Sequence, residues 1–386
     1  MQDDFHYYAT YCAAIISGYS HEESLEICYS AELVDHCSRT LLSKIRAPLA
    51  AATTQLQSEL MDARTDILEI QNITRIWASF HFLPFDLRAK LKHRSALYMN
   101  KYRLICNTNS DLLVDTVHLA GGGSLQAAGI AMHILADTWA HRYFAGTPSL
   151  VINNVNSYCY ELISDEEKHR ERAVTFHHNP VLSDDVYKGY YSNSVYQVRE
   201  NSIMNLGHGR AGHLPDYSFI RYKYLPAWGE YAEIIKDNPS DYYHAFCQMI
   251  YAMKVLRGTY PIFEKEKYDT KAVTPWEDEI HEILTRRRLN ASKDWKEFGE
   301  RLSGHTIEDF DLGKFQEEYG NADKKLRDNT FLGKFCLAAM AQKSMVTNQI
   351  YKSGNMLAGF SVDYDKFGFK GIKDFMKLVE NEKRGS

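Results

Sequence analysis

The sequence has few of the residues that interrupt helices, with 9 prolines and 22 glycines in 386 residues. It also lacks any run of roughly 18 apolar residues, the length that a membrane-spanning helix needs. No block of lysine and arginine stands out and the net charge is −5, so a long nucleic acid is not an expected partner. These absences predict an all-α protein without a transmembrane segment.

The seven cysteines are scattered along the chain and none forms a C-x-x-C pair. Neither a disulfide framework nor a thiolate zinc site is therefore expected. The first ten residues, MQDDFHYYAT, lack the basic region and apolar stretch of a signal peptide. P-loop, G-x-S-x-G and G-x-G-x-x-G motifs are also missing. Together these absences predict reduced, mostly buried cysteines and a cytoplasmic protein.

Histidine is what the sequence has in excess, and its most informative stretch is residues 121–146. Three glycines and Ser124 open this stretch as a loop and a helix N-cap, and the Gly-Thr-Pro sequence at its end closes it. His133, Asp137 and His141 follow one another at intervals of four residues. At about 100° per residue they share one face of the predicted helix.

The spacing of these three residues predicts two metal ions. His133 and His141 lie about 12 Å apart along the helix axis, too far to bind one ion together. Asp137 lies midway and has two oxygens, so it is predicted to bridge one ion held by each histidine. Bridged ions about 3.5–4 Å apart are the arrangement that clamps two oxygens at phosphorus. The alternative is that the three side chains are packed in the core without partners. Burying them in this way would cost several kcal/mol of folding free energy.

Further candidate ligands lie upstream of this helix. Asp35 falls near the apolar stripe of a helix that a capping box begins at Ser20, an awkward place for a carboxylate without a partner. His81 lies between two phenylalanines, where it is either a core residue bonded to a carbonyl or a third ligand. His118 is a further histidine candidate in a less constrained neighbourhood.

A second ligand loop is predicted at residues 206–217, LGHGRAGHLPDY. Glycines flank His208 and give the backbone freedom to push its imidazole into a cavity. Turn chemistry would explain the glycines, but it does not explain two histidines and an aspartate within nine residues. His208 and Asp216 are the favoured ligands, followed by His213.

The chain divides by composition into two predicted parts. Residues 1–260 form the predicted helical metal-binding core, in which 147–200 is interpreted as an irregular insertion or lid. Residues 261–386 hold no dense cluster of ligand-type side chains; 262–330 are highly charged, and 330–351 are predicted to form a more apolar helix. Together they are predicted to form a helical extension that packs on the core, contributes to substrate choice or makes an oligomer contact.

Several short motifs, taken in order, carry a family resemblance over about residues 1–257. They are Asp-Phe-His-Tyr-Tyr near the amino terminus, Val-Asp at 34–35, Phe-His-Phe-Leu-Pro at 80–84, His-x3-Asp-x3-His at 133–141 and Leu-Gly-His-Gly…Pro-Asp at 206–216. This pattern resembles a bacterial family of uncharacterised proteins, itself similar to zinc-dependent phospholipase C and P1-type nuclease.

The resemblance implies an α-helical fold around a cluster of up to three zinc ions. Carried over by position, it implies as ligands His6, Asp35, His81, His133, Asp137, His141, His208 and Asp216. Manganese or iron would accept the same ligands. Two features depart from the relatives. They use the amino group of a processed amino-terminal tryptophan, whereas this chain starts with Met1, and only three residues follow Asp137 before His141.

The predicted function is a metal-dependent hydrolase of phosphoric esters that uses a metal-activated water. A small phosphorylated or lipid substrate, a phosphodiester of lipid or nucleotide type, is expected, and no side chain is identified as the general base. One alternative is an ester or amide hydrolase built on the same ions. The other is a non-catalytic, metal-stabilised helical binding protein, because a fold does not settle function.

Overall fold

The protein is mostly helical, with 55% helix and 8% strand. The computed structural model describes residues 1–62, 67–165, 168–177, 182–193 and 206–359. The helical prediction is therefore confirmed in its coarse form. It is wrong in its strict all-α form, because two small sheets follow the central helix.

Helices occupy most of the chain on both sides of these sheets. In chain order they are a π-helical turn at Asp4–Ala9, α1 (Thr10–Ile16), α2 (His21–His36), α3 (Arg39–Ile45), α4 (Gln57–Asp62), α5 (Ile67–Phe80), α6 (Ala96–Tyr102), α7 (Asp111–Ala120), α8 (Leu125–Ala140), α9 (Leu150–Asn153), α10 (Asn238–Leu256), α11 (Thr270–Val273), α12 (Glu277–Thr285), α13 (Ser292–Ser303), α14 (Leu312–Asn321) and α15 (Phe331–Lys352). Short 3₁₀ turns lie at Leu49–Ala51, Leu214–Asp216, Ala227–Gly229, Thr274–Trp276 and Arg327–Asn329.

The strands fall largely in the region that the sequence suggested to be an irregular insertion. They are β1 (Tyr160–Asp165), β2 (Lys168–Ala173), β3 (Thr175–His177), β4 (Tyr190–Ser192), β5 (Arg221–Tyr224) and β6 (Ile234–Asp237). An antiparallel sheet has the order β2-β1-β5-β6, and β3 pairs with β4 in parallel. The alternation of β5 is too short to stand out in the sequence, although Tyr222 and Tyr224 are buried and their neighbours are not.

Helix α8 lies at the centre of the fold and packs against α2, α10, α15, α7 and α5. Its start is as predicted, because the Ser124 side chain accepts a hydrogen bond from the backbone N–H of Ala127. The close approach of α2 requires Gly129, since a Cβ atom there would lie 2.3 Å from the carbonyl oxygen of Ile27. The predicted capping box of α2 is also present, formed by Ser20 and Glu23.

One large hydrophobic cluster contains buried side chains from both sides of residue 260. Trp295 and Phe298 of α13 pack in the same cluster as Phe5, and Phe335 of α15 packs there as well. A domain boundary near residue 260 stays a prediction. The cluster does show that the amino-terminal segment and α13 share a core.

The seven cysteines are all buried and none forms a disulfide. Among the residues that the structure describes, no helix is both long enough and apolar enough to cross a bilayer.

Candidate metal centre

The three residues singled out on the central helix point into the protein interior. His133 and Asp137 lie on α8 and are almost fully buried. The helix ends at Ala140, before the predicted end near residue 146, so His141 is its C-cap. The backbone N–H of His141 still donates to the carbonyl of Asp137, 2.8 Å away. His141 therefore still lies one helical turn after Asp137.

The Asp137 carboxylate lies at the centre of a buried polar cluster. Its Oδ1 is 2.9 Å from the amino nitrogen of Met1 and 3.1 Å from Nε2 of His6. Its Oδ2 is 3.2 Å from Nδ1 of His81 and 3.2 Å from Nε2 of His133. Three sequence-distant groups, and His133 from the preceding helical turn, thus converge on one side chain.

Asp35, at the end of α2, adds a second carboxylate to this side of the cluster. Its Oδ1 lies 3.7 Å from Nδ1 of His81, and its Oδ2 lies 4.0 Å from Nε2 of His6. The side chain of Asp35 is 36% exposed, whereas that of Asp137 is 1% exposed. The cluster therefore meets solvent at Asp35.

A further group forms around Asp216, in the 3₁₀ turn that ends the predicted ligand loop. Its Oδ1 lies 3.3 Å from Nε2 of His141 and 3.7 Å from Nε2 of His208. The Met1 amino nitrogen lies 3.4 Å from both Nε2 of His141 and Oδ1 of Asp216. His213 stays at the edge, with Nδ1 3.3 Å from Oδ2 of Asp216 and a largely exposed side chain.

The eight residues that the sequence assigned as ligands are all brought together. Their ligand atoms fall into three groups within 4.8 Å, and these groups are His6, His133 and Asp137; Asp35, His81 and His133; and His141, His208 and Asp216. Of the weaker candidates, His118 is exposed on α7, and neither it nor His213 joins a group within the described part of the chain.

Backbone carbonyls fix the ring orientation of two histidines in the first half of the cluster. His133 donates its Nδ1–H to the carbonyl of Ala31 at 2.9 Å, and His81 donates its Nε2–H to that of Thr53 at 3.0 Å. Because a carbonyl can only accept, each ring nitrogen at this contact carries the proton. When its ring is neutral, the other nitrogen of each histidine presents a lone pair to the cluster.

The second half of the cluster repeats this arrangement. His141 donates its Nδ1–H to the carbonyl of His81 at 2.8 Å, and His208 donates its Nδ1–H to that of Gly212 at 2.8 Å. Both Nε2 atoms are left facing Asp216. Metal-ligating histidines in proteins are oriented by such bonds from the second ring nitrogen.

The orientation of the rings brings three potential ligand atoms close together. Nδ1 of His81, Nε2 of His133 and Oδ2 of Asp137 form a triangle with sides of 3.2, 3.2 and 3.3 Å. Burial acts to lower the pKa of His133, but Asp137 and Asp35 raise it overall, so a proton competes for the position that a metal ion would take. Ligand atoms bound at about 2.0–2.1 Å to a tetrahedral zinc ion lie about 3.3 Å from one another. The triangle therefore has the dimensions of one face of such a shell.

Aromatic rings pack against the faces of several imidazoles in the cluster. The rings of His6 and His133 are stacked with centroids 3.7 Å apart. Phe82 stacks on His141 at 4.7 Å, and Trp77 lies against His81 at 4.9 Å. These contacts limit ring rotation, so the nitrogen atoms keep their positions.

Burial keeps two of the histidines neutral. It lowers the pKa of His6 to about 3, with the neighbouring His133 acting in the same direction. It likewise lowers the pKa of His208 to about 4, against the attraction of Asp216. Both rings are thus uncharged near neutral pH, which is the form that binds a metal.

The carboxylates of the cluster stay ionised. Burial acts to raise the pKa of Asp137 and Asp216, but the neighbouring histidines and the Met1 amino group hold both well below the usual range. Burial alone would lower the pKa of the Met1 amino group. Asp137 and Asp216 reverse this and raise it to about 11.

The nitrogen of Met1 is the one group of this cluster that sequence reasoning set aside. Met1 was noted only as a departure from the amino-terminal tryptophan of the resembled enzymes. In the structure its amino nitrogen contacts Asp137, His141 and Asp216. The signal that could have found it was the resemblance itself, in which the first residue supplies its amino group.

A family profile matches residues 1–350 of the chain and is described as a family of unknown function, DUF6765. The chain belongs to this family. No curated protein and no solved structure matches the chain significantly.

Proposed function

We propose that this member of the DUF6765 family is a metal-dependent hydrolase of phosphoric esters. The observation that carries the proposal is the triangle formed by Nδ1 of His81, Nε2 of His133 and Oδ2 of Asp137. With both rings neutral, three buried acceptors at these distances repel one another unless a proton or a metal ion lies between them. Among the described residues, no lysine or arginine side chain forms an ion pair with Asp137.

The donor set fits two or three divalent ions. Imidazole nitrogen and carboxylate oxygen atoms suit zinc, and manganese or iron would accept the same ligands. Asp35, His81 and His133 would hold one ion together with Asp137, whose other oxygen lies beside His6. His141, His208 and Asp216 would hold another. Asp137 remains the predicted bridge, since its two oxygens face different neighbours.

The number and exposure of these ligands favour catalysis over a purely structural role. A structural zinc site closes four ligands around one ion, whereas a catalytic site keeps a position open. Here eight side chains converge, and Asp35 and His208 are partly exposed at the rim. Bound ions would activate a water molecule and polarise a phosphoryl oxygen.

The charge of the site favours an anionic substrate once ions are bound. Asp35, Asp137 and Asp216 carry three negative charges, which alone would repel a phosphodiester. Two divalent cations supply four positive charges, and the amino group of Met1 adds another. A phosphodiester is then attracted, and the three carboxylates hold the ions rather than oppose the substrate.

Hydrolysis of bis(p-nitrophenyl) phosphate tests this function against a panel of p-nitrophenyl carboxylic esters and anilides. With zinc or manganese added, we expect phosphodiester hydrolysis that falls at least about 100-fold in Asp137→Asn, because the central ligand is lost. His118→Ala changes an exposed histidine and is the matched control.

Two outcomes would contradict the proposal. Hydrolysis of the esters or anilides alone would indicate the ester or amide hydrolase alternative. Stoichiometric metal without hydrolysis of any substrate in the panel would indicate a metal-stabilised binding protein.

A further inference from the structure

Lys343 on α15 is a buried lysine without a carboxylate partner. Its side chain lies in the core, and its Nζ donates to the carbonyl of Ala52 at 2.7 Å. Within the described ranges, no aspartate or glutamate lies within ion-pair distance of it. Among the residues that the structure describes, the carbonyl of Ala52 is thus its one hydrogen-bond partner.

This arrangement is unfavourable for packing alone. Burial penalises the ammonium and lowers the pKa of Lys343 to about 7. A methionine would fill nearly the same space without that penalty. The contact that the amine makes instead holds the short segment from Ala51 to Thr53, through the carbonyl of Ala52.

The held segment is connected to the metal cluster at two points. The backbone N–H of Thr53 donates to the carbonyl of Cys37 at 2.9 Å, and Thr53 Oγ1 donates to that of Val34 at 2.7 Å. Val34 and Cys37 flank the end of α2 that carries Asp35. The carbonyl of Thr53 accepts the Nε2–H of His81 at 3.0 Å.

The Ala52–Thr53 peptide is thus held on both sides. Its carbonyl accepts from Lys343, and its N–H donates to Cys37, the C-cap of α2. The next carbonyl along the chain selects the tautomer of His81, so that Nδ1 presents its lone pair to Asp137 and Asp35. A shift of this peptide would remove the acceptor that keeps the proton on Nε2.

We propose that Lys343 is a positioning residue, which fixes the Ala52–Thr53 peptide and thereby the tautomer and orientation of His81. The region after residue 260 would then contribute to the site although none of its described residues, 261–359, joins the proposed ligand groups. The effect on metal binding rests on the proposed function. The effect on the His81 tautomer does not, because it is a property of the metal-free protein.

The direct test is ¹⁵N NMR of the imidazole nitrogens in metal-free, full-length protein. His81 is assigned by the signal missing from His81→Gln. In wild type we expect the Nε2–H form of His81 to dominate. In Lys343→Met, which keeps most of the side-chain volume, we expect a mixture of tautomers.

The same variants are then titrated with zinc against a chromophoric chelator. We expect about a tenfold loss of affinity for one ion in Lys343→Met, the lower end of what outer-shell changes cause. Thr347→Val is the matched control, since it lies one turn away on α15 and its buried hydroxyl has no hydrogen-bond partner among the described residues. It should match wild type in both measurements.

Thermal unfolding separates positioning from general damage. Removing a buried unpaired charge should leave the melting temperature unchanged or raise it, while the tautomer mixture appears. An unchanged His81 tautomer in Lys343→Met would overturn the proposal. A shifted tautomer in a protein whose wild type binds no metal would uphold the positioning role and contradict the proposed function instead.

Discussion

Two buried polar clusters meet the last turn of α8, and they differ in how their charges are balanced. In the first, Lys236 donates to the Asp241 carboxylate at 2.6 Å and to the carbonyl of Trp139 at 2.8 Å. Arg142 donates to the other oxygen of Asp241 at 2.8 Å. Each carboxylate oxygen of Asp241 thus faces a cationic donor, so the negative charge is balanced without any added ion.

The second cluster, of histidines and aspartates, is built in the opposite way. Nδ1 of His81 and Nε2 of His133 point at each other and at Asp137. The Met1 amine lies beside Asp137 rather than within that triangle. The comparison teaches that burial of charge alone does not indicate a metal site. The informative feature is a set of histidines whose second ring nitrogens are held by backbone carbonyls, so that the first nitrogens can bind either a proton or a metal ion.

Among the substitutions that test whether the two clusters are separate, Asp241→Asn is expected to have the largest effect on the unfolding free energy. The substitution leaves Lys236 buried and Arg142 nearby without their shared carboxylate. Breaking such a pair costs about 3–5 kcal/mol of unfolding free energy. Urea unfolding should show this loss, while the metal content of the folded protein stays at the wild-type value. Joint loss of stability and metal would show that the two clusters are not separate.

A smaller effect is expected on acidifying the metal-free protein. The unfolded chain protonates His6 near pH 6.5, whereas in the folded state its pKa is about 3. The unfolded state thus binds more protons between these values, and the stability present above pH 6.5 is lost as the pH falls toward 3. At pH 5 the loss is about 2 kcal/mol.

A comparison of wild type with His6→Gln isolates this effect. In the presence of chelator, the difference in unfolding free energy between them should shrink by about 2 kcal/mol from pH 7.5 to pH 5. Lys236 should not contribute in this window, because burial lowers its pKa only to about 8. A difference that stays constant with pH would show that His6 is not held neutral.

Much of the helical framework could be predicted because its signals are local. The Ser124 cap and the four-residue spacing of His133, Asp137 and His141 belong to one helix and need no tertiary information. The short β5 strand was missed, since its two buried tyrosines only acquire meaning when β1 and β6 pair beside them.

The residues that form the cluster could be predicted, largely through the resemblance, but their grouping could not. Asp35, His81 and His133 come from three helical regions, and only the packing of α2 on α8 places them together. The spacing on α8 suggested that Asp137 joins the ions of His133 and His141. In the structure the free nitrogen of His141 faces Asp216 and Met1, a contact that no local pattern contains.

The outer supports of the site were the least accessible to sequence reasoning. The carbonyls of Ala31, Thr53 and Gly212 select the histidine tautomers. Every residue has a backbone carbonyl, so the sequence does not indicate which carbonyls orient the histidines. Lys343 lies far from the motifs in sequence and was part of a region without candidate ligands.

The metal content of purified protein, measured by elemental mass spectrometry, tests the central claim most directly. We predict two or three equivalents in wild type and in His118→Ala, with at least one equivalent lost in Asp137→Asn, because Asp137 contacts the ligands of more than one group. Asp137→Asn with unchanged stoichiometry would contradict its bridging role. Wild-type protein that binds no ion, even after incubation with zinc or manganese, would contradict the account as a whole.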